Sequence, residues 1–125
     1  MGTLSARLRR CERIVRSNPP TRRDFTSNAA RGRPLPPGAP PEVVRLWDGL
    51  SVYETAGQAR RHAKASPMLG GYVAALDLPA TAAIRCERTT RSRGHYTLWG
   101  EPDALLGCVS EVIPVERAPT RETGR

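Results

Sequence analysis

Six polar residues fall on segments with the sequence pattern of β-strands, and their side chains together suit a phosphorylated ligand that contains flat rings. They are Arg13, Arg16, Ser51, Tyr53, His95 and Glu111. A guanidinium can bind a phosphate or a carboxylate through two parallel hydrogen bonds, and an aromatic ring can stack on a flat group. A histidine can titrate near neutral pH. These residue types predict a binding or catalytic cleft, provided that the fold brings their strands together.

A structural interpretation stays open for each of them. Arg13 and Arg16 are predicted on opposite faces of the first strand, where an arginine can also be simply solvated. Tyr53 is predicted on the strand face opposite Leu50 and Val52, where its ring can also close the edge of the core. A binding role therefore depends on where these faces lie in the folded chain.

His95 is the better candidate of the two histidines, because His62 is predicted on a charged, solvent-exposed helix face. Glu111 is predicted on one strand face with three branched apolar residues, which places its carboxylate at a cleft or at the edge of the sheet. Those apolar residues are Val109, Ile113 and Val115. The candidate catalytic residues are Glu111 and His95, and the candidate ligand-binding residues are Arg13, Arg16, Ser51 and Tyr53.

The sequence contains none of the specific motifs GxSxG, Walker A, GxGxxG or HExxH. Its three cysteines, Cys11, Cys86 and Cys108, lie far apart and form no CxxC pair. With the two histidines they could conceivably bind zinc, but a small strand residue is the simpler interpretation of each. We therefore expect no metal, and the odd number of cysteines argues against a disulfide framework.

The stretch 49–79 has the most regular pattern and predicts a strand, a helix and a second strand. The first strand is Leu50–Tyr53, and Thr55 with Gln58 forms a capping box at the start of a helix over Ala56–Ala65. The inner face of this helix carries only alanine, at positions 56, 59 and 63, so the helix must lie close against a sheet. The second strand is predicted over residues 72–78.

Further strands are predicted over residues 11–17, 84–90, 95–99 and 108–115, and short helices over 42–48 and 101–106. The segment 24–30 is a helical turn or a loop in which Phe25 is a buried anchor. The predicted fold class is α+β. We expect a small single domain with about five strands in a mostly antiparallel or split sheet, two or three short helices and one central strand–helix–strand unit. A basic arm covers residues 1–10, the domain covers 11–116 with a proline-rich linker at 31–41, and a disordered tail covers 117–125.

The net charge of +8 is unevenly distributed. Residues 1–33 carry nine arginines against Glu12 and Asp24, whereas the remainder of the chain is close to neutral. Such a basic segment can bind nucleic acid or an acidic protein. Lys64 is the only lysine, however, and a strong bias towards arginine is also typical of a GC-rich genome. The charge by itself therefore favours a compositional origin, and a binding role stays open.

No apolar run approaches the ~20 residues of a transmembrane helix. The N-terminus has positive charges but no apolar segment after them, so a signal peptide is not expected. We expect a cytoplasmic protein without a membrane partner. The oligomeric state stays open.

The chain from residue 13 to residue 115 resembles a family of short, uncharacterised bacterial proteins of the actinobacterial type. The segments that carry this resemblance are RIVRSNPPT, DFTSN, LWDGLSVYET, QAR and RTTRSRGHYTLWG. The chain also has a remote resemblance to ADP-ribosyltransferase-like folds, including the RES-type toxins. There the order of features is an arginine on an early strand, a glycine–arginine stretch, a strand with serine or tyrosine that leads into a helix, and an acid on a late strand.

The second resemblance implies NAD as a substrate and gives each candidate residue a role. Arg13 or Arg16 would hold a phosphate of NAD, and Gly32–Arg33 would be the glycine–arginine stretch. Ser51 and Tyr53 would lie at the nicotinamide. Glu111 would steady the ribose hydroxyl or the oxocarbenium-like centre, and His95 would be spare or take the family's histidine role. The chain departs from the family pattern because it lacks Ser-Thr-Ser and Glu-x-Glu and is short.

Three functions follow from these observations. The first is an ADP-ribosyltransferase-like domain that binds or cleaves NAD, which requires the candidate residues to meet in one cleft. The alternative is a basic module that binds nucleic acid or an acidic protein without catalysis, through the arm at residues 1–10. The third is a partner-binding protein, which would expose an apolar patch built on Leu98, Trp99, Leu105 and Leu106.

Overall fold

The computed structural model describes residues 9–81 and 83–115. In this part of the chain, six strands and three α-helices follow one another with two 3₁₀ turns between them. The strands are β1 (Arg10–Val15), β2 (Leu50–Tyr53), β3 (Tyr72–Asp77), β4 (Arg85–Glu87), β5 (His95–Trp99) and β6 (Val109–Pro114). The helices are α1 (Pro41–Trp47), α2 (Ala56–Ala65) and α3 (Pro102–Leu106), and the 3₁₀ turns are Arg22–Phe25 and Pro67–Leu69. The predicted α+β class is confirmed.

The six strands form one antiparallel sheet with the order β4-β5-β2-β1-β3-β6. The predicted unit β2-α2-β3 is present, but β1 lies between its two strands. β1 pairs with β3 at six consecutive positions, whereas it pairs with β2 at a single position, Glu12 with Tyr53. The sheet therefore splits between β1 and β2, and backbone groups on either side of the split become accessible to side chains.

The two faces of the sheet are packed differently. One face carries the larger cluster, which includes Phe25, Leu76, Leu98 and Leu105, all at most 1% exposed. Phe25 is thus the buried anchor that its sequence context predicts. Leu98 and Leu105 are fully buried here, so the exposed apolar patch required by the partner-binding hypothesis does not exist on these residues.

Helix α2 covers the other face of the sheet. Its alanines 59 and 63 are buried against Ile14 and Val73, which confirms the predicted close contact of a small-residue helix face. Thr55 and Gln58 form the predicted capping box, with the Gln58 N–H donating to Thr55 Oγ1 at 3.1 Å. The start of α2 is therefore fixed directly after β2, close to the candidate residues Ser51 and Tyr53.

The edge strand β6 contains an irregularity that the alternation of its residues did not reveal. Glu111 pairs with Ala75, but Val109 pairs with Leu76, so the register shifts by one residue between them. Val109 and Val112 consequently pack on the larger cluster, whereas Ile113 packs on the α2 side. The prediction that Val109 and Glu111 share a face was wrong, because the bulge inserts an extra residue between them.

Residues 1–8 of the predicted arm and the whole predicted tail, 117–125, lie outside the described residues. The proline-rich segment 31–41 is exposed over almost its full length and is joined to α1 by the Trp47 indole N–H, which donates to Arg33 O at 2.9 Å. Within the described ranges, no helix is both long and apolar enough to cross a membrane.

Glu12 is a buried carboxylate, only 6% exposed, in the middle of β1. Its neighbour is Arg10, whose Nε lies 3.4 Å from a Glu12 oxygen and whose other nitrogens reach Asp77 and Glu111. Burial raises the pKa of Glu12 above its usual range, and the Arg10 charge offsets only part of this increase. The folded state therefore binds the Glu12 proton more tightly than the unfolded chain does.

We expect Glu12→Gln to raise stability at pH 7. The ionised Glu12 destabilises the fold above its folded-state pKa, and this cost disappears as the pH falls towards the unfolded value of about 4.3. Glutamine still accepts from Arg10, which keeps two further acidic partners. Urea unfolding between about pH 4.5 and 7 should show a flatter pH dependence than that of the wild type. Glu111→Gln, on an exposed partner of the same arginine, is the control, and a less stable Glu12→Gln at pH 7 would contradict the expectation.

Candidate functional site

A cavity of about 330 Å³ opens where β1 and β2 separate. Four arginines line it together with Ser51 and Tyr53 of β2. These arginines are Arg13, Arg16, Arg31 and Arg33. Arginines from β1, from the segment that follows it and from the start of the proline-rich segment therefore give this cavity a positive charge.

Arg13 occupies the split itself. Its Nε donates to Asp24 O at 2.9 Å and its Nη1 donates to Ser51 O at 2.8 Å, so the guanidinium replaces part of the missing β1–β2 ladder. Burial lowers the pKa of Arg13 to about 10, which still leaves it charged at neutral pH. Two of its five N–H donors are used in these bonds, and it forms no ion pair with a described carboxylate.

Asp24 lies near Arg13, but its carboxylate is already occupied. It accepts from the Arg16 N–H at 2.8 Å, from the Ser17 hydroxyl at 2.7 Å and from the Thr21 N–H at 2.9 Å. The carboxylate therefore fixes the loop after β1 instead of forming a direct salt bridge with Arg13. Arg16 is the first residue of this loop and not part of β1, because the strand ends at Val15. The prediction that Arg13 and Arg16 occupy opposite faces of one strand was wrong, and both side chains line the same cavity.

A second cavity, of about 590 Å³, lies on the other side of Ser51 and Tyr53. Its walls carry two histidines, His62 of α2 and His95 of β5, and the cations Arg61 and Arg93. The Tyr53 ring lies between the two histidines, with ring centroids 5.5 Å from His62 and 5.6 Å from His95. This second cavity therefore offers three rings against which a flat group can stack.

His95 is held at both ring nitrogens. Nε2 lies 3.0 Å from Ser51 Oγ, and Nδ1 lies 3.1 Å from Thr90 Oγ1. Burial, followed by the charge of His62, lowers the pKa of His95 below its ordinary value. The imidazole is therefore neutral at pH 7 and can accept a proton. The preceding Gly94 has φ +78, a conformation in which other residues are strained, and a Cβ there would displace the end of the Gln58 side chain.

Five of the six residues selected from the sequence line the two joined cavities. Arg13 and Arg16 line the first cavity, His95 lines the second, and Ser51 and Tyr53 form the wall that they share. The two cavities together form one surface that runs from clustered arginines to clustered rings.

Glu111 does not join them. It lies on β6, three strands away from β2, with its side chain 58% exposed and 3.3 Å from Arg10 Nη2. The expectation that Glu111 meets Tyr53 and His95 in one cleft is therefore contradicted by the strand order. Its carboxylate belongs instead to the cluster around Arg10.

Sequence reasoning missed Arg31, Thr90 and His62 as site residues. Arg31 falls in a segment interpreted as a linker, and its pKa is lowered by burial and by the charges of Arg23, Arg33 and Arg16. His62 is exposed, as its charged helix face predicts. The ring of Tyr53 nevertheless reaches it, since residues 53 and 62 lie at the end of β2 and on the α2 turn that folds back beside it.

A third cavity, of about 1040 Å³, adjoins the first and shares Arg31 and Arg33 with it. Arg22 and Arg23 add further positive charge, while Asp48 and Glu101 contribute the carboxylates on its walls. The positive surface therefore extends beyond the split in the sheet.

No group of three or more histidine, cysteine or acidic residues that could hold a metal occurs in residues 9–81 and 83–115. The three cysteines are all free thiols, and two of them, Cys11 and Cys86, are buried. The arrangement of residues in the two joined cavities suits an organic ligand with phosphate groups.

Comparison of the chain with protein-family models, with curated proteins and with solved structures found no match.

Proposed function

We propose that this protein is an ADP-ribosyltransferase-like domain that binds NAD in the two cavities that share Ser51 and Tyr53 of β2. It lacks the late-strand acid that the resemblance implies, because Glu111 lies outside both cavities. The observation that carries the proposal is the wall formed by Ser51 and Tyr53, which separates an arginine-lined cavity from a ring-lined one. A dinucleotide presents the same sequence of chemical groups, since a ribose connects its pyrophosphate to each flat base.

The arginine-lined cavity supports the phosphate part of this proposal. Burial disfavours the charged form of Arg13, and the nearby Asp24 charge offsets only part of this effect without forming a salt bridge, so an incoming anion would relieve the remaining cost. Its fork geometry also permits two parallel bonds to a phosphate. Arg16 and Arg31 add positive charge to the same cavity. They would bind the phosphate oxygens that Arg13 does not contact.

The ring-lined cavity supports the base part. The Tyr53 ring lies 5.5 Å from the His62 ring and 5.6 Å from the His95 ring, and stacking on such rings suits either base of NAD. His95 remains neutral, so that it does not repel the cationic nicotinamide ring. Arg61 and Arg93 line the same cavity and favour a ligand whose net charge is negative.

Binding can be measured by isothermal titration calorimetry of the full chain with NAD, ADP-ribose and nicotinamide mononucleotide. We expect saturable binding of one NAD per chain, with a dissociation constant of roughly 1 µM to 1 mM. Each fragment should bind more weakly than NAD, because it fills one cavity only. Absence of binding by all three ligands would refute the proposal.

The same titration separates NAD binding from the alternative function of binding nucleic acid or an acidic protein. A nucleic-acid site that contacts many phosphates loses affinity steeply with salt, with a slope of about −0.9 per phosphate for duplex DNA. NAD carries one pyrophosphate and should show a much smaller slope. Tight, strongly salt-dependent binding of DNA or RNA, without binding of NAD, would favour the alternative.

A further inference from the structure

We propose that Ser51 is a nucleophile and His95 its general base, and that the chain attaches the ADP-ribosyl group of NAD to its own Ser51. This inference rests on the proposed function, because NAD has to occupy the joined cavities before its ribose can react. The N-glycosidic bond to nicotinamide breaks, and a bond forms between Ser51 Oγ and C1′ of the ribose. The electron pair of the broken bond leaves with nicotinamide, which becomes neutral, and the Ser51 hydroxyl proton passes to His95 Nε2.

The hydrogen bonds around His95 are those that this proton transfer needs. Ser51 Oγ lies 3.0 Å from Nε2, within the range in which a base can take a proton directly. Thr90 Oγ1 lies 3.1 Å from Nδ1 and can accept a hydrogen bond from Nδ1–H. In that tautomer Nε2 is unprotonated. The order nucleophile, base and orienting group is that of activated serines in unrelated folds.

The charges around the pair favour a neutral imidazole. The groups that face this cavity are His62 and Arg61 from α2 and Arg93 from the loop before β5, and Arg13 lies on the far side of Ser51. The three arginines are cations, and no carboxylate lines this cavity among the described residues. Protonated His95 would therefore be disfavoured, and the unprotonated form is the one that can act as a base.

The position of Ser51 matches that of a ribose. Its side chain is exposed and lies on the wall that the two cavities share. If the phosphates lie among the arginines and nicotinamide lies among the rings, the connecting ribose must pass over Ser51 and Tyr53. Of these two residues, Ser51 carries the hydroxyl that contacts His95, whereas Tyr53 is 9% exposed.

Among the described residues, no carboxylate lines either cavity, so we assign the role of nucleophile to Ser51. As nicotinamide leaves, C1′ becomes electron-deficient, and Glu111 lies three strands away from it. A hydroxyl deprotonated by His95 supplies the electron pair that an acidic side chain does not provide here. Proximity then favours attack by Ser51 over attack by water.

The test is incubation of the full chain with NAD, followed by rapid acid quench, intact-mass measurement and quantification of released nicotinamide. We expect the mass of one ADP-ribosyl group to be added, with fragmentation placing it on Ser51, and one nicotinamide to be released per modified chain. Ser51→Ala should abolish both signals, and His95→Gln should slow them by about 100-fold or more. Calorimetry with ADP-ribose shows whether each variant retains the binding site.

Ser110→Ala is the matched control, because Ser110 is an exposed serine on β6 that lines none of the three cavities. It should be modified as fast as the wild type. NAD binding without added mass and without nicotinamide release would overturn this inference and leave the proposed function intact. An adduct or nicotinamide release that persists in Ser51→Ala would also overturn it. No NAD binding at all would overturn both.

Discussion

Replacing Arg13 by lysine is expected to weaken NAD binding by about 100-fold. Lysine keeps the positive charge, but its three donors diverge from a single nitrogen and cannot reproduce the planar fork that bonds Asp24 O, Ser51 O and a phosphate. Loss of two charge-assisted hydrogen bonds corresponds to about 3 kcal/mol, which is about two orders of magnitude in the dissociation constant. Calorimetry with NAD and with ADP-ribose measures the change directly.

The matched control is Arg88→Lys, which changes an exposed arginine outside the three cavities. It should leave both affinities within about twofold of the wild type. Because Arg13 also joins β1, β2 and the loop at Asp24, urea unfolding of both variants shows whether the site is still folded. A folded Arg13→Lys protein that binds NAD like the wild type would remove Arg13 from the site and the phosphate argument with it.

The local elements of this fold follow from short sequence patterns, and they were predictable for that reason. The capping box at Thr55 and Gln58, the alanine face of α2 and the strand β2 each depend on residues within a few positions of one another. Phe25 was predictable as an anchor because it is the only phenylalanine in a thin core. None of these predictions required knowledge of the strand order.

The strand order could not be predicted from such short patterns, and it places Glu111 away from the other candidate residues. Insertion of β1 between β2 and β3 places β6 at one edge of the sheet, far from Tyr53 and His95. The bulge beside Ala75 turns Val109 away from the face of Glu111, and a shift of one residue leaves no trace in an alternating pattern. Long-range strand pairing therefore separates Glu111 from Tyr53 and His95, which the order of features along the chain had placed in one site.

The site was predictable to the extent that its residues lie on strands next to the split. Arg13, Ser51, Tyr53 and His95 were selected for side-chain chemistry, and strand pairing brings them together across β1, β2 and β5. Thr90 and Arg31 come from loops whose paths depend on tertiary contacts, so their sequence context carried no signal. The hydrogen bond between His95 and Thr90 could not be predicted for the same reason.

One glycine connects the stability of the fold to the geometry of the site. Gly70 is buried between the 3₁₀ turn Pro67–Leu69 and β3, and it has φ +149 and ψ 165, a conformation that is essentially confined to glycine. A Cβ at this position would overlap the carbonyl group of Val15 and would lie 3.2 Å from the Arg16 N–H nitrogen. That N–H donates to Asp24, so a shift of this backbone would also move the loop that carries Arg16 into the first cavity.

We therefore expect Gly70→Ala to lower the free energy of unfolding by about 3 kcal/mol or more, since backbone strain and a clash with backbone atoms act together. The melting temperature should fall by more than about 10 °C, measured by circular dichroism. Gly71→Ala is the matched control, because a Cβ there meets no atom within 4 Å and φ lies outside the positive range. It should stay within about 0.5 kcal/mol of the wild type. Equal stability of the two variants would show that the chain after α2 can relax away from Val15, and the loop of Arg16 would then be held by Asp24 alone. NAD affinity of the Gly70→Ala protein, measured well below its melting temperature, separates these cases, because a displaced Arg16 weakens phosphate binding whereas a relaxed turn leaves it unchanged.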